Sequence, residues 1–168
     1  VEAAAGAWGE ADRGPARTGA DHVAHLLVRA AMEATGARRG SLVWRLGERW
    51  MLHTAVGFEA KRMPQGMAVE AGLGVLGALF KEGRPMVVED IRGLPEVAED
   101  RSRGYTTRAF LAIPLYWTGK PAGALFLTNR EGGRAFATED LALILPLVKT
   151  LMDCLGGKVA EAESRVLH

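Results

Sequence analysis

The chain has 168 residues, a length that suits one globular domain or at most two. With 21 Lys+Arg against 20 Asp+Glu, a net charge of +1 and 48% hydrophobic residues, it is too apolar for a disordered chain and too evenly charged for a dedicated nucleic-acid binder. Its one cysteine, Cys154, excludes an internal disulfide and a Cys-type zinc site.

Residues 1–19 are rich in Ala, Gly, Glu and Arg and read as a linker or frayed lead-in. Val1 in place of Met fits a piece of a longer protein or a processed start. No charged segment followed by an apolar stretch opens the chain. Its longest apolar run, Ala109 to Trp117, falls short of the roughly 18 residues of a membrane span. A cytoplasmic protein with no membrane or direct nucleic-acid partner is expected.

Asp21 stands as the N-cap of a helix whose apolar residues recur at Val23, Leu26, Leu27, Ala30, Ala31 and Ala34, with Gly36 placed to stop it. Ser41–Leu46 and Arg49–Val56 follow as strands around Gly47-Glu48, a pair that suits a type II′ hairpin. That register sets Trp44 opposite Met51 and Leu42 opposite His53. One face then carries Leu42, Trp44, Met51 and His53, and the other Val43, Trp50, Leu52 and Thr54. Both faces are partly apolar, so both are expected to be covered.

Residues 57–71 read as loop. Gly72 to Lys81 reads as a short helix with Leu73, Leu76, Leu79 and Phe80 inward, ended by Gly83-Arg84-Pro85. Met86–Ile91 is a strand closing on an acid, Asp90. Arg92 to Arg103 is polar loop with room for one helical turn. Arg108–Trp117 and Ala122–Asn129 form a second strand pair, with Pro121 tolerable only at a strand start or edge. Thr138 opens the last helix, with Glu139 and Asp140 suiting its dipole and Leu141, Ile144, Leu145, Val148, Leu151, Met152 and Leu155 at helical spacing. Pro146 should kink it. Residues 156–168 read as a helical extension or linker. The order of elements predicts an α+β domain around one antiparallel sheet.

Gly72 to Gly77 spells G-x-G-x-x-G, with Asp90 near the end of the next strand. A dinucleotide fingerprint needs a firm buried strand before the first glycine, and only Met67-Ala68-Val69-Glu70 stands there. Glycines that let a helix pack closely on a sheet explain the pattern better, although the helix start still offers free N–H groups to a polar ligand. His22 and His25 are not spaced as a metal motif, so metal ligation is not expected. Cys154 lies on an apolar helical period with no base beside it, so nucleophilic catalysis has no support. Arg101, Arg103 and Arg108 around Tyr105 and Phe110 make a weak basic-aromatic patch.

Several motifs in order resemble the GAF domain family, the small-molecule-sensing modules of signalling proteins. Gly72-Leu73-Gly74, then Lys81-Glu82-Gly83-Arg84-Pro85 and Val87-Val88-Glu89-Asp90, resemble its "G-x-G … G-x-P … V-x-D" segment. Phe110-Leu111-Ala112-Ile113-Pro114-Leu115, Gly119 and Gly123-Ala124-Leu125 resemble its "L-x-V-P-L … G … G-V-L" hairpin. Asn129-Arg130, Phe136 and Asp140 resemble four positions of the NKFDE motif. Arg130 replaces the Lys and Leu141 stands at the Glu, so the motif does not carry cyclic-nucleotide binding over.

The resemblance implies a GAF-like domain over 20–155, with a central antiparallel sheet, N- and C-terminal helices on one face, and a short helix and loops over the other. It implies a non-enzymatic sensor relaying a small molecule through the terminal helices to an output domain, with a homodimer along those helices. Family placement and strand alternation together nominate Trp44, His53, Leu73, Gly74, Asp90, Tyr105, Thr107 and Phe110 as ligand-binding residues, with no catalytic residue, no metal and the cofactor left unknown. Two alternatives stand: a ligand-free scaffold whose pocket is filled by Trp44, Phe58, Phe80 and Phe110, and a nucleotide-dependent enzyme using Gly72–Gly77.

Overall fold

The computed structural model describes residues 19–59, 61–70, 72, 74–94, 108–117, 119–155, 158–159 and 165–167. The expected lead-in over 1–19 lies outside them except for Gly19. The apolar period from Val23 builds helix α1 (Gly19–Thr35), which ends at Gly36 as expected. Asp21 is not its N-cap. The helix already begins at Gly19, and Asp21 is 1% exposed within the first turn, facing the sheet rather than the helix end.

Strands β1 (Ala37–Leu46) and β2 (Arg49–Val56) form the first hairpin. Gly47 has a φ of +61° and Glu48 does not take a positive φ, the combination of a type II′ turn. Trp44 pairs with Met51 as the alternation predicts, but Leu42 pairs with Thr54 instead of His53. The register shifts between Leu42 and Val43, and His53 is the extra residue in β2. This is a β-bulge, and it moves Thr54 from the face alternation gave it onto the face of Leu42.

The chain continues through β3 (Ala68–Val69), helix α2 (Gly74–Glu82) and β4 (Met86–Val88). The strand expected to reach Ile91 stops earlier. The Asp90 carboxylate accepts the backbone N–H of Arg92 at 2.9 Å and turns the chain into one turn of 3-10 helix, Ile91–Gly93. The second hairpin, β5 (Phe110–Trp117) and β6 (Lys120–Arg130), joins the first because β6 pairs with β1. The strands run β3-β2-β1-β6-β5-β4, each pair antiparallel.

Helix α3 (Thr138–Leu155) stays helical through Pro146, which is exposed. Past it the expectation of a helical extension or linker is corrected: β7 (Lys158–Val159) pairs with β5 and β8 (Arg165–Leu167) runs parallel to β4. The edge left by β4 and the far end of β5 offers unpaired backbone groups, and this segment takes them up.

Alternation along the strands divides the core in two. Leu42, Trp44, Leu111, Ile113, Leu125 and Leu127 meet Val28 and Ala31 of α1 and Leu141, Ile144 and Val148 of α3. Val43, Leu52, Phe110, Ala112 and Ala124 meet Val75, Leu76 and Leu79 of α2 on the other face. The architecture is the expected α+β arrangement, with α1 and α3 packed together on one face. Gly40 sets how closely α1 lies on β1: a Cβ there would stand 2.8 Å from Val28 Cγ1 and 2.9 Å from Met32 Sδ. Among the described residues no helix is long and apolar enough to cross a membrane.

Candidate functional site

The face under α2 is where the sequence places a ligand. Gly74 opens α2, buried and with a φ of +62°. Phe110, 2% exposed, lies in the apolar cluster that α2 covers. Trp50 and Phe80 add a tilted ring pair at 4.8 Å beside the same cluster. Leu73, Tyr105 and Thr107 lie outside the described residues, as do Arg101 and Arg103. The G-x-G-x-x-G glycines lack the setting a dinucleotide needs, because the strand before them, β3, is a two-residue strand at the sheet edge, antiparallel to β2.

Trp44 and His53 are placed elsewhere. Trp44 belongs to the cluster under α1 and α3, and its indole N–H has no hydrogen-bond partner. His53 Nε2 lies 2.7 Å from Asp21 Oδ1 of α1, and its Nδ1 lies 2.7 Å from the Thr54 hydroxyl. With the Nε2 proton donated to Asp21, a neutral ring accepts from the hydroxyl at Nδ1. An acid, an imidazole and a hydroxyl in line are the parts of an activated nucleophile. Here Asp21, His53 and Thr54 are 1%, 6% and 7% exposed, and the chain of bonds ties α1 to the bulge. The sequence signal for it was two polar residues inside otherwise apolar patterns.

Asp90 opens a different site. The ends of β4 and β6, the start of β5 and the loop into α3 enclose a cleft of about 530 Å³. Arg38, Arg108, Arg130 and Arg134 line it, with Glu89 and Asp90. The Arg92 guanidinium, bonded to Asp90 at 3.0 Å, and then the Arg92 backbone N–H hold the Asp90 carboxyl down to about 2. Arg130 donates to Asp140 at 2.8 Å and to the Ala135 carbonyl at 2.9 Å, and stands 6.0 Å from the centre of the Phe136 ring. Three of the four NKFDE-like residues therefore meet. Arg38 and Arg134 carried no signal in the sequence, because they come from a strand start and a loop that only the sheet brings together. Among the described residues no three His, Cys, Asp or Glu side chains gather as a metal site would require.

The model of the GAF domain family matches residues 20–151. The GAF domain of a phosphoenolpyruvate-protein phosphotransferase from Coxiella burnetii superposes with a TM-score of 0.66 at 22% identity, covering 81% of this chain and 82% of that one. A GAF domain/HD domain protein from Geobacter sulfurreducens gives 0.67 at 17% identity, over 80% and 90%. Residues 122 to 287 of a methyl-accepting chemotaxis protein give 0.67 at 18% identity, over 82% and 88%. At these identities the superpositions speak for the fold.

Proposed function

The chain belongs to the GAF domain family, a class of signalling-sensor modules, and from that premise we propose that it is a non-enzymatic sensory domain of a cytoplasmic signalling protein. It binds a small molecule on the α2 face of the sheet and passes the change to an output domain through α1 and α3. The observation that supports this is the unequal covering of one sheet: two long helices on one face, and on the other one short helix with loops. Under the short cover, Gly74 and Phe110 are the described residues assigned to the ligand, and Leu73, Tyr105 and Thr107 complete the proposed set; Asp90 lines the separate cleft at the sheet end instead. Trp44 and His53 then act behind the sheet, on the side of the relay. A ligand shifts the output only by binding one arrangement of that relay better than another.

The test is a thermal-shift screen against nucleotides, amino acids, haem and small anions. A compound present at about 100 times its Kd stabilises by about 2.7 kcal/mol. A stabilising hit whose effect disappears in Phe110→Ala supports the reading, and a hit indifferent to Phe110 overturns the site. The ligand-free scaffold has its own support in the Trp50–Phe80 pair beside the fully buried Leu79 and Met86. A screen with no hit favours that scaffold.

A further inference from the structure

The cleft at the end of the sheet is separate from the α2 face, and we propose that it binds a second ligand, a small phosphate-bearing anion. Three guanidiniums of this region each have a carboxylate: Arg92 has Asp90, Arg130 has Asp140, and Arg38 reaches Glu131 at 4.0 Å. Arg108 and Arg134 also line the cleft, and neither has a carboxylate within ion-pair distance among the described residues. The charge of Arg108 is felt at Asp90, but both Asp90 oxygens are already bonded by Arg92. Glu89 brings one further negative charge to the rim.

Arg108 and Arg134 bring to this cavity two positive charges that no carboxylate pairs among the described residues, and a bound anion is attracted to them. The planar fork of arginine matches the oxygens of phosphate two at a time. The cleft, about 530 Å³, is the size of a site for a small organic molecule rather than for a bare ion. Nothing protrudes from its glycine side: a Cβ added at Gly132 or Gly133 would meet no atom within 4 Å. Arg130 is held rigid by Asp140 and Ala135 and is half-buried, so it serves as the fixed wall against which the exposed Arg108 and Arg134 close.

The experiment is titration with inorganic phosphate, pyrophosphate and adenosine monophosphate at constant ionic strength, read by calorimetry and by backbone NMR shifts. Saturable binding is expected, with shifts at Ala109, Asn129 and Gly133, and adenosine monophosphate or pyrophosphate ahead of phosphate. Arg108→Gln and Arg134→Gln each remove a charge-assisted contact, and each is expected to weaken binding about tenfold or more. Both side chains are exposed, so the melting temperature without ligand is expected to stay unchanged. Equal affinity in wild type and the double variant, or a non-saturating response, overturns the proposal. Its failure leaves the α2-face ligand untouched, since that one is read through Phe110 and this one through Arg108 and Arg134.

Discussion

Asp21 and His53 lie 32 positions apart in the chain, yet their side chains meet at 2.7 Å where α1 crosses the β1–β2 hairpin. The β-bulge makes the contact possible. His53 is the residue β2 holds in excess of β1, so it turns toward α1 together with Thr54. Cutting the bond from either side leaves a buried polar group without this partner. Asp21→Ala and His53→Ala are each expected to cost about 1–3 kcal/mol in urea unfolding. The double variant should cost less than the sum, with a coupling of about 0.5–3 kcal/mol. Additive losses would show that the two side chains do not act as a pair.

A second prediction concerns Asp140. Its carboxylate accepts from Arg130 at 2.8 Å and from the backbone N–H of Ala137 at 2.8 Å, just before α3 begins. It acts as the returning half of a capping box and as the partner of a half-buried cation. Asp140→Ala loses both and is expected to cost about 2–4 kcal/mol by chemical denaturation. Arg130→Met keeps an aliphatic stem against Phe136 and leaves the Ala137 bond in place, so it should cost distinctly less. Equal losses would mean that the cap contributes nothing.

Asp90 makes a prediction in pH. Its carboxyl is lowered from 3.8 to about 2, first by the Arg92 side chain and then by the Arg92 backbone N–H. The unfolded chain therefore takes up this proton at a higher pH than the folded one. The contribution to stability is fully present above about pH 4 and is lost as pH falls through about 2. An NMR titration of the Arg92 amide should show a midpoint near 2, and Asp90→Asn should abolish it. A midpoint near 3.8 would show that the cap over Ile91–Gly93 does not form.

The last prediction concerns the relay helices. Val23, Leu26 and Leu143 are 41%, 61% and 57% exposed, on the outer sides of α1 and α3. If the homodimer that the family resemblance implies forms along α1 and α3, these are the apolar side chains it would cover. Leu26→Glu with Leu143→Glu is expected to turn a dimer into a monomer in sedimentation velocity. The fold of the monomer should be unharmed, since neither side chain belongs to the core. A sedimentation coefficient identical to that of the wild type removes these residues from the seam.

Much of the domain was legible in the sequence because its signals are local. The apolar period from Val23 marks α1, Gly47-Glu48 marks a tight turn, and the spacing from Leu141 to Met152 marks α3. That both faces of the sheet are covered also followed from the partly apolar faces of the first hairpin, Leu42 with Trp44 and Val43 with Leu52. The candidate site was less legible. Asp90 was visible as an acid at a strand end, but its company of Arg38, Arg130 and Arg134 was not. Residues 158–159 and 165–167, in a segment read as a helical extension or linker, pair with the sheet as short strands, because an open sheet edge outweighs a weak local preference.

The sequence by itself determined the three helices, the two hairpins and the family, since periodicity, turn glycines and motif order act over a few residues at a time. The tertiary structure alone decided that Thr54 joins His53 on the α1 face and which arginines share a cleft. A bulge changes side-chain direction by one extra residue, which alternation does not reveal. The cleft is assembled from strand ends that are remote in the chain and adjacent only through the pairing of β6 with both β1 and β5.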